Sequence, residues 1–140
     1  MLRWRFLTYV SPSGRNDTQK EVDRYDDYSR EAFQRAVAHL AAATIDKWDE
    51  PHAKKLNGKH KLHEVRYRAD NCATRAVGCF GPGPNQFTIT LICTHKQNVY
   101  KPHDAIATAG RRAEQIQVGQ ASVAALQIYG EDFPSDADAA

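Results

Sequence analysis

The alternation of charged and apolar side chains along residues 62–95 predicts three consecutive β-strands. They are predicted at His63–Arg68, Thr74–Phe80 and Phe87–Cys93. In the first strand, the alternation sends Glu64, Arg66 and Arg68 to one face and the apolar residues between them to the other. The third strand is the most apolar, so we expect it to be buried. The connections are short, and one is a Gly-Pro-Gly-Pro breaker, which favours an antiparallel meander.

A strand over Leu2–Val10 and two helices are predicted ahead of this meander. Thr18 and Glu21 have the spacing of a capping box, which predicts a helix over Gln19–Tyr28. The second helix has Ser29 as its predicted N-cap and carries one continuous apolar stripe. That stripe consists of Phe33, Ala36, Val37, Leu40, Ala41 and Thr44. We expect the two helices to cover one face of the sheet.

The remaining chain divides into a linker, a third helix and a tail. Residues 48–61 are rich in Lys and His and are predicted to be a linker. Pro102 suits the first turn of the third helix, whose apolar stripe we expect at Ala105, Ile106, Ala109, Ala113 and Ile116. Gly119 is predicted to interrupt this helix, and residues 121–129 to continue it. The residues from Gly130 onward are predicted to form a disordered acidic tail.

The charge of the chain is distributed unevenly. Residues 1–50 have a net charge of −1, residues 51–112 of +8 and residues 113–140 of −5, although the whole chain carries only +2. A basic middle segment is typical of proteins that bind a polyanion such as nucleic acid. A solvated basic face without a ligand has the same composition, so this alternative stays open.

Composition also bears on location and redox state. Cys72, Cys79 and Cys93 are odd in number, which favours reduced thiols in the cytoplasm. No apolar run approaches the length of a membrane span, and residues 1–6 lack the pattern of a signal peptide. We therefore expect a cytoplasmic protein with no membrane association and no cofactor.

Metal binding is disfavoured by the residue spacing. There is no Cys-x₂-Cys pair, and of the candidate ligands only Cys93 and His95 share a strand face, while His60 lies outside the strands. No Gly-rich phosphate loop precedes a helix. We predict no metal site.

Phosphate chemistry is the better candidate. Arg66 and Arg75 can each bind phosphate oxygens with two N–H groups and stabilise charge in a phosphoryl transition state. Lys96 adds a cation, and His95, or less readily His63, can transfer a proton. The alternative for Glu64 and Arg66 is an ion pair on a wet sheet face.

The order of short motifs resembles the RelE/HigB superfamily of toxins from toxin–antitoxin modules, in particular its phage-derived HigB-like branch. The motifs are Lys55-Leu56, His63-Glu64-Val65-Arg66, Thr74-Arg75-Ala76-Val77, His95-Lys96, Pro102 and Arg111-Arg112. The resemblance spans residues 28–117. It implies a compact α+β fold, with two N-terminal helices and a C-terminal helix on a small antiparallel sheet. It places this RelE/HigB-like domain at residues 1–118 and a C-terminal extension at residues 119–140.

The resemblance also implies a function. Members of the superfamily are mRNA interferases, endoribonucleases that often act on the ribosome and are neutralised by an antitoxin, for which we expect a helix-turn-helix protein. Arg66, Arg75, Lys96 and His95 then become the catalytic candidates. The RNA-binding candidates are Lys55, Lys59, Lys61, Arg68, Lys101, Arg111 and Arg112. Gln97 stands where the family has a second cation, so a non-catalytic phage or prophage protein of the same fold, binding RNA or a host protein, stays open.

Overall fold

A computed structural model describes residues 3–58 and 61–134 of the chain. Its three helices are Asp17–Arg24 (α1), Asp27–Ala42 (α2) and Ala105–Gln117 (α3), and a 3₁₀ turn spans Ile45–Lys47. Its strands are Arg5–Val10 (β1), Ala53–Lys55 (β2), His63–Ala69 (β3), Cys72–Phe80 (β4), Gln86–Lys96 (β5), Val99–Lys101 (β6), Ser122–Ala125 (β7), Gln127–Ile128 (β8) and Glu131–Asp132 (β9). The chain is therefore a mixed α+β protein.

Seven of these strands form one sheet, in the order β2-β3-β4-β5-β1-β7, with β6 paired to the end of β5. The predicted meander is confirmed as β3, β4 and β5, which are antiparallel neighbours. The prediction of a purely antiparallel sheet is wrong at one pair, because β1 runs parallel to β5. A parallel neighbour needs a long connection, and α1 and α2 lie in the segment between β1 and the meander.

The helices α1 and α2 cover one face of the sheet through the predicted stripe. Phe33, Val37 and Leu40 are fully buried there, which confirms the stripe within α2, but Thr44 lies beyond the end of the helix and is exposed. Both helices begin two or three residues earlier than predicted. The side chains of Asn16 and Asp26 accept hydrogen bonds from backbone N–H groups of the first turns, so they are the N-caps instead of Thr18 and Ser29.

The helix α3 covers part of the opposite face, and a β-bulge divides β5 between the two layers. Val77 pairs with Leu91, but the next residue of β4, Gly78, pairs with Ile89, so that Thr90 is the extra residue. As a result Leu91 packs in the α3 layer and Ile89 in the α1–α2 layer. A Cβ atom at Gly78 would lie 2.1 Å from the Thr88 carbonyl oxygen, so this close approach requires glycine.

The segment after α3 returns to the sheet. Gly119 has φ +78 and ends the helix, and β7 then pairs antiparallel with β1. The predicted continuation of helix over residues 121–129 is wrong, because the free edge of β1 supplies hydrogen bonds that favour a strand. Leu126 is fully buried in the α1–α2 layer, which attaches the extension to the domain. Of the predicted acidic tail, residues 135–140 lie outside the described residues.

Candidate functional site

The strand register brings two of the predicted catalytic arginines side by side. Arg66 on β3 is the direct neighbour of Arg75 on β4, and Arg75 is in turn the neighbour of Cys93 on β5. Residues directly opposite each other in a sheet share a face. Arg66 and Arg75 therefore lie on the same face, beside the part that α3 covers. Glu64 shares this face because it is two residues from Arg66.

The buried carboxylate of Glu64 connects the site. Its side chain is only 2% exposed, and its Oε1 lies 3.1 Å from Arg66 Nε and 3.6 Å from Arg75 Nε. Its other oxygen, Oε2, accepts a hydrogen bond of 2.7 Å from the Tyr100 hydroxyl. One negative charge thus holds two guanidinium groups in place. The alternative interpretation, an ion pair of Glu64 and Arg66 on a wet sheet face, is confirmed in part. The two side chains do form an ion pair, but its carboxylate is buried.

The two guanidinium groups differ in what else they contact. Arg66 Nη1 donates to Glu50 at 2.7 Å, and the backbone N–H of Arg66 donates to the His52 carbonyl. Arg75 Nη1 donates to the carbonyl of Thr74, and Arg75 Nε is buried without a hydrogen bond. A buried donor that lacks a hydrogen-bond acceptor costs free energy, which the carboxylate of Glu64 at 3.6 Å compensates only in part.

An open depression of about 370 Å³ lies over this pair. It is lined by Glu50, Pro51, Arg66, Tyr67, Arg68, Ala73 and Arg75. Three of these residues are arginines, and together with Glu50 and the neighbouring Glu64 they leave a net charge of +1. A phosphate group fits the arrangement by charge and by the planar donor geometry of arginine.

Tyr100 links the arginine pair to His95. The hairpin of β5 and β6 sets Tyr100 opposite His95, and their ring centroids are 4.7 Å apart. Burial, followed by the hydrogen bond to Glu64, raises the pKa of the Tyr100 phenol well above its usual value. The phenol is therefore protonated at neutral pH and can donate a hydrogen bond, but it cannot accept a proton as a base.

Lys96 is not brought together with the other catalytic candidates. His95 shares a face with Cys93 and hence with Arg75, whereas Lys96 alternates to the opposite face of β5. Gln97 and Asn98 have φ values of +52 and +63 and form the two-residue turn to β6. The missing second cation of the family motif is therefore a turn residue in this chain.

The predicted RNA-binding residues divide into exposed and structural ones. Five of them are exposed, namely Lys55, Lys61, Arg68, Lys101 and Arg111. Arg112 is different: it donates to the Thr90 carbonyl, contacts Asp17 and lies over the Tyr9 ring at 5.0 Å. These contacts give Arg112 a structural role, joining α3 to α1 and β1. Lys59 lies outside the described residues.

The cysteines and histidines do not assemble in the described part of the chain. Within residues 3–58 and 61–134, no group of three His, Cys, Asp or Glu side chains has metal-binding proximity. Burial, and then the neighbouring Glu64, raises the pKa of the Cys93 thiol to about 12, so it is a neutral thiol and a poor metal ligand. In the same ranges, no helix has the length and apolarity needed to cross a membrane.

Sequence reasoning missed Glu50 as a contact of Arg66 and the hydrogen bond from Tyr100 to Glu64. Glu50 lies in the segment interpreted as a linker, and no periodicity marks it. Tyr100 follows a turn that the sequence did not predict as a hairpin. Gln97 and Asn98 have positive φ values in the turn before it, and Asn is favoured in such turns. Asn98 was therefore the sequence signal that could have predicted the hairpin.

Comparison with known families gives a match over most of the chain. The sequence model described as "Phage derived protein Gp49-like (DUF891)" matches residues 20–114, more than half of the chain. The matched segment includes the second half of α1, all of α2, the strands β2 to β6 and most of α3, and hence the arginine pair, Glu64 and Tyr100. No curated protein and no solved structure matches the chain.

Proposed function

The chain belongs to the phage-derived Gp49-like family, a RelE/HigB-type toxin family of toxin–antitoxin modules, and from this premise we propose that it is an endoribonuclease toxin. Its substrate is mRNA, cleaved on the ribosome or free, in the cytoplasm. A toxin of this kind has an antitoxin, and we propose a small helix-turn-helix protein. The two N-terminal helices, the sheet and the C-terminal helix are consistent with a RelE-like layout and support this proposal.

One observation carries the proposal: Arg66 and Arg75 are neighbours on paired strands, are held by buried Glu64, and border an open positive depression. In the proposed reaction the 2′-oxygen of the RNA attacks phosphorus, and the bond to the 5′-oxygen breaks. The negative charge on the phosphoryl oxygens increases in the transition state. The two guanidinium groups stabilise that charge from fixed positions, which needs no reorganisation.

Proton transfer is assigned to His95 in this proposal. The 2′-hydroxyl must lose a proton and the 5′-oxygen must gain one, and histidine is the side chain that most often does this. His95 packs against Tyr100, which is itself fixed by Glu64. Tyr100 is protonated at neutral pH, so its role is to orient His95. Lys96, on the other face of β5, contributes to long-range attraction of RNA and does not touch the scissile phosphate.

Expression in bacteria tests the proposal. The wild-type chain should arrest growth and fragment translated mRNAs, and Arg75→Ala should relieve both, because a transition-state contact is worth orders of magnitude in rate. Arg75→Lys should recover only part, since a point charge does not replace the planar group. The matched control is Arg15→Ala, which removes an exposed arginine far from the site in sequence. Harmless wild-type expression without RNA fragments would refute the proposal.

A second assay separates RNA binding from cleavage. Affinity for single-stranded RNA should fall steeply with salt, because each neutralised phosphate releases counterions. Cleavage should be compared on naked RNA and in a translating extract, which decides whether the ribosome is needed. No binding at low salt, or an affinity that does not change with salt, would remove the polyanion hypothesis.

The second candidate function is a non-catalytic protein of the same fold that binds RNA or a host protein. Two observations favour it: Lys96 lies away from the arginine pair, and Glu50 occupies one side of Arg66. This candidate predicts salt-dependent RNA binding, or capture of a host protein, without any cleavage. The cleavage assay above therefore distinguishes the two functions directly.

A further inference from the structure

The outermost strand of the sheet, β7, has one side without a partner strand. β7 pairs with β1 on its inner side, and no other strand of the described residues pairs with its outer side. After β7 the chain turns away from this edge, since Phe133 packs against the ring of Phe6. Pro134 then borders a depression beyond the start of β1, together with Trp4. The described part of the C-terminal extension therefore leaves the outer side of β7 open.

The hydrogen bonds to β1 show which peptide groups of β7 point outward. Leu126, one residue beyond β7, donates its backbone N–H to the Phe6 carbonyl. Peptide groups alternate in direction along an antiparallel strand, so those of Ala124 also face β1. The N–H and C=O groups of Val123 and Ala125 then face away from β1. None of these outward groups has a hydrogen bond to another part of the described chain.

The two edges of the sheet differ in how they are protected. Natural proteins keep an edge strand from pairing with other chains by placing charged side chains, Pro or bulges on it. At the opposite edge, β2 carries the exposed residues Lys54 and Lys55 and follows Pro51. In contrast, residues 115–130, which include β7, contain no Asp, Glu, Lys, Arg, His or Pro. Only its shortness protects β7, so this edge can accept another strand.

A second copy of this chain fits the open edge. When two copies of β7 lie antiparallel with Ala124 opposite its counterpart, Val123 of each copy faces Ala125 of the other. All outward peptide groups of both strands are then hydrogen-bonded. Moving the centre to either neighbouring residue would set one of these groups opposite a residue outside β7. Ala124 is exposed, and its small side chain permits the close approach of two strands at the symmetry axis.

We propose that two copies of the chain associate through β7 and form a symmetric dimer in which the two sheets become continuous. The same patch is used on both copies, as in most homodimers. A few hydrogen bonds between short strands form a limited interface, so the dissociation constant should be micromolar to millimolar. The strands β5 and β1 separate β7 from Arg75 on β4, a distance of roughly 14 Å across the sheet. The dimer is thus independent of the proposed nuclease and leaves the arginine depression of each copy open.

Sedimentation equilibrium of the full chain from about 1 µM to about 1 mM tests for the dimer. The wild-type chain should pass from monomer to dimer within this range. Ala124→Lys and Ala124→Glu each set like charges opposite each other and should each weaken association by roughly 5-fold. An equal mixture of the two variants should form a heterodimer tighter than either homodimer, because opposite charges then face each other. The matched control is Ala107→Lys, which adds a charge at an exposed position of α3 and should leave association unchanged.

Amide hydrogen exchange locates the contact within the chain. The N–H groups of Ala124 and Leu126 are bonded to β1 and should be protected at every protein concentration. Those of Val123 and Ala125 should exchange rapidly in the monomer and become protected as the concentration rises. The same series in an Arg75→Ala background removes any dependence of the test on RNA cleavage.

Each outcome supports or overturns the dimer. A wild-type chain that stays monomeric throughout the range overturns it. So does a dimer that neither Ala124 variant weakens, or that Ala107→Lys weakens equally, because the contact then lies elsewhere or reflects net charge. If the Ala124 variants do not fold, protection of Val123 and Ala125 that does not change with concentration overturns it instead. A dimer without RNA cleavage refutes only the nuclease, and RNA cleavage by a monomer refutes only the dimer.

Discussion

Replacing Glu64 by glutamine removes the one buried negative charge between two arginines. The amide has nearly the same shape but only one acceptor oxygen, so it can still accept from Arg66, while its NH₂ group faces the Tyr100 hydroxyl, which must then accept instead of donate. What is lost is the negative charge that compensates the positive charges of the two arginines. Arg66 keeps Glu50 at 2.7 Å, but Arg75 loses the carboxylate at 3.6 Å and has no other ion pair among the described residues.

The expected cost follows from burial. The side chains of Arg66 and Arg75 are 21% and 13% exposed, so water screens their charges only in part. Removing one member of a buried ion pair costs about 3–5 kcal/mol. The lower end, about 3 kcal/mol, applies here because Glu50 still compensates Arg66 and the amide oxygen can still accept the hydrogen bond from Arg66. For a domain of this size that corresponds to a fall in Tm of roughly 10 °C.

The assay is urea unfolding of wild type, Glu64→Gln and the matched control Glu50→Gln. Glu50 contacts the same arginine from an exposed position, so its loss should cost less than about 1 kcal/mol. A double-mutant cycle with Arg75→Met should give a coupling of about 1–3 kcal/mol to Glu64. If Glu64→Gln unfolds within about 0.5 kcal/mol of wild type, the carboxylate does not hold the arginine pair and the reasoning is wrong.

Three other predictions use different parts of the molecule. Leu40→Asp places an unpaired charge at a fully buried position of α2 and should unfold the domain by circular dichroism; a soluble, cooperatively folded variant would contradict the packing of α2. Because burial lowers the pKa of His63, its stabilising contribution is complete above about pH 6.5 and is lost as the pH falls below that value; urea unfolding from pH 7.5 to 5 should show this loss, and His63→Gln should reduce it. Gln97→Lys restores the family's second cation in a turn away from Arg75, so growth arrest should be unchanged or stronger; relief of the arrest would show that the turn conformation itself matters.

Much of the fold could be predicted from local sequence patterns. The alternation along His63–Arg68 fixed which side chains share a face, and the stripe from Phe33 to Ala41 identified the buried side of α2. Both depend on periodicity within one element, which the chain encodes over a few residues. Helix starts shifted by two or three residues because several polar side chains compete for the cap, and only the backbone geometry decides among them.

The candidate site was predictable in part for the same reason. Arg66 and Arg75 are direct neighbours once the predicted strands pair, because the two strands of the hairpin follow each other closely in the chain. Lys96 was placed with them by analogy with a motif, although the alternation along β5 assigns it to the other face from His95. A motif in linear sequence does not specify the face on which its residues lie.

The sequence by itself determined the meander, the amphipathic helix, the arginine pair and the family. Only the tertiary structure decided that β1 lies parallel to β5, that β7 completes the sheet beside β1, and that Glu50 contacts Arg66 from an irregular segment. These contacts join residues far apart in the chain, and their free energy depends on which strand edges and charges the rest of the fold leaves available. Local periodicity does not specify which strand edges and charges are available. The burial of Glu64 between two arginines depends on these long-range contacts.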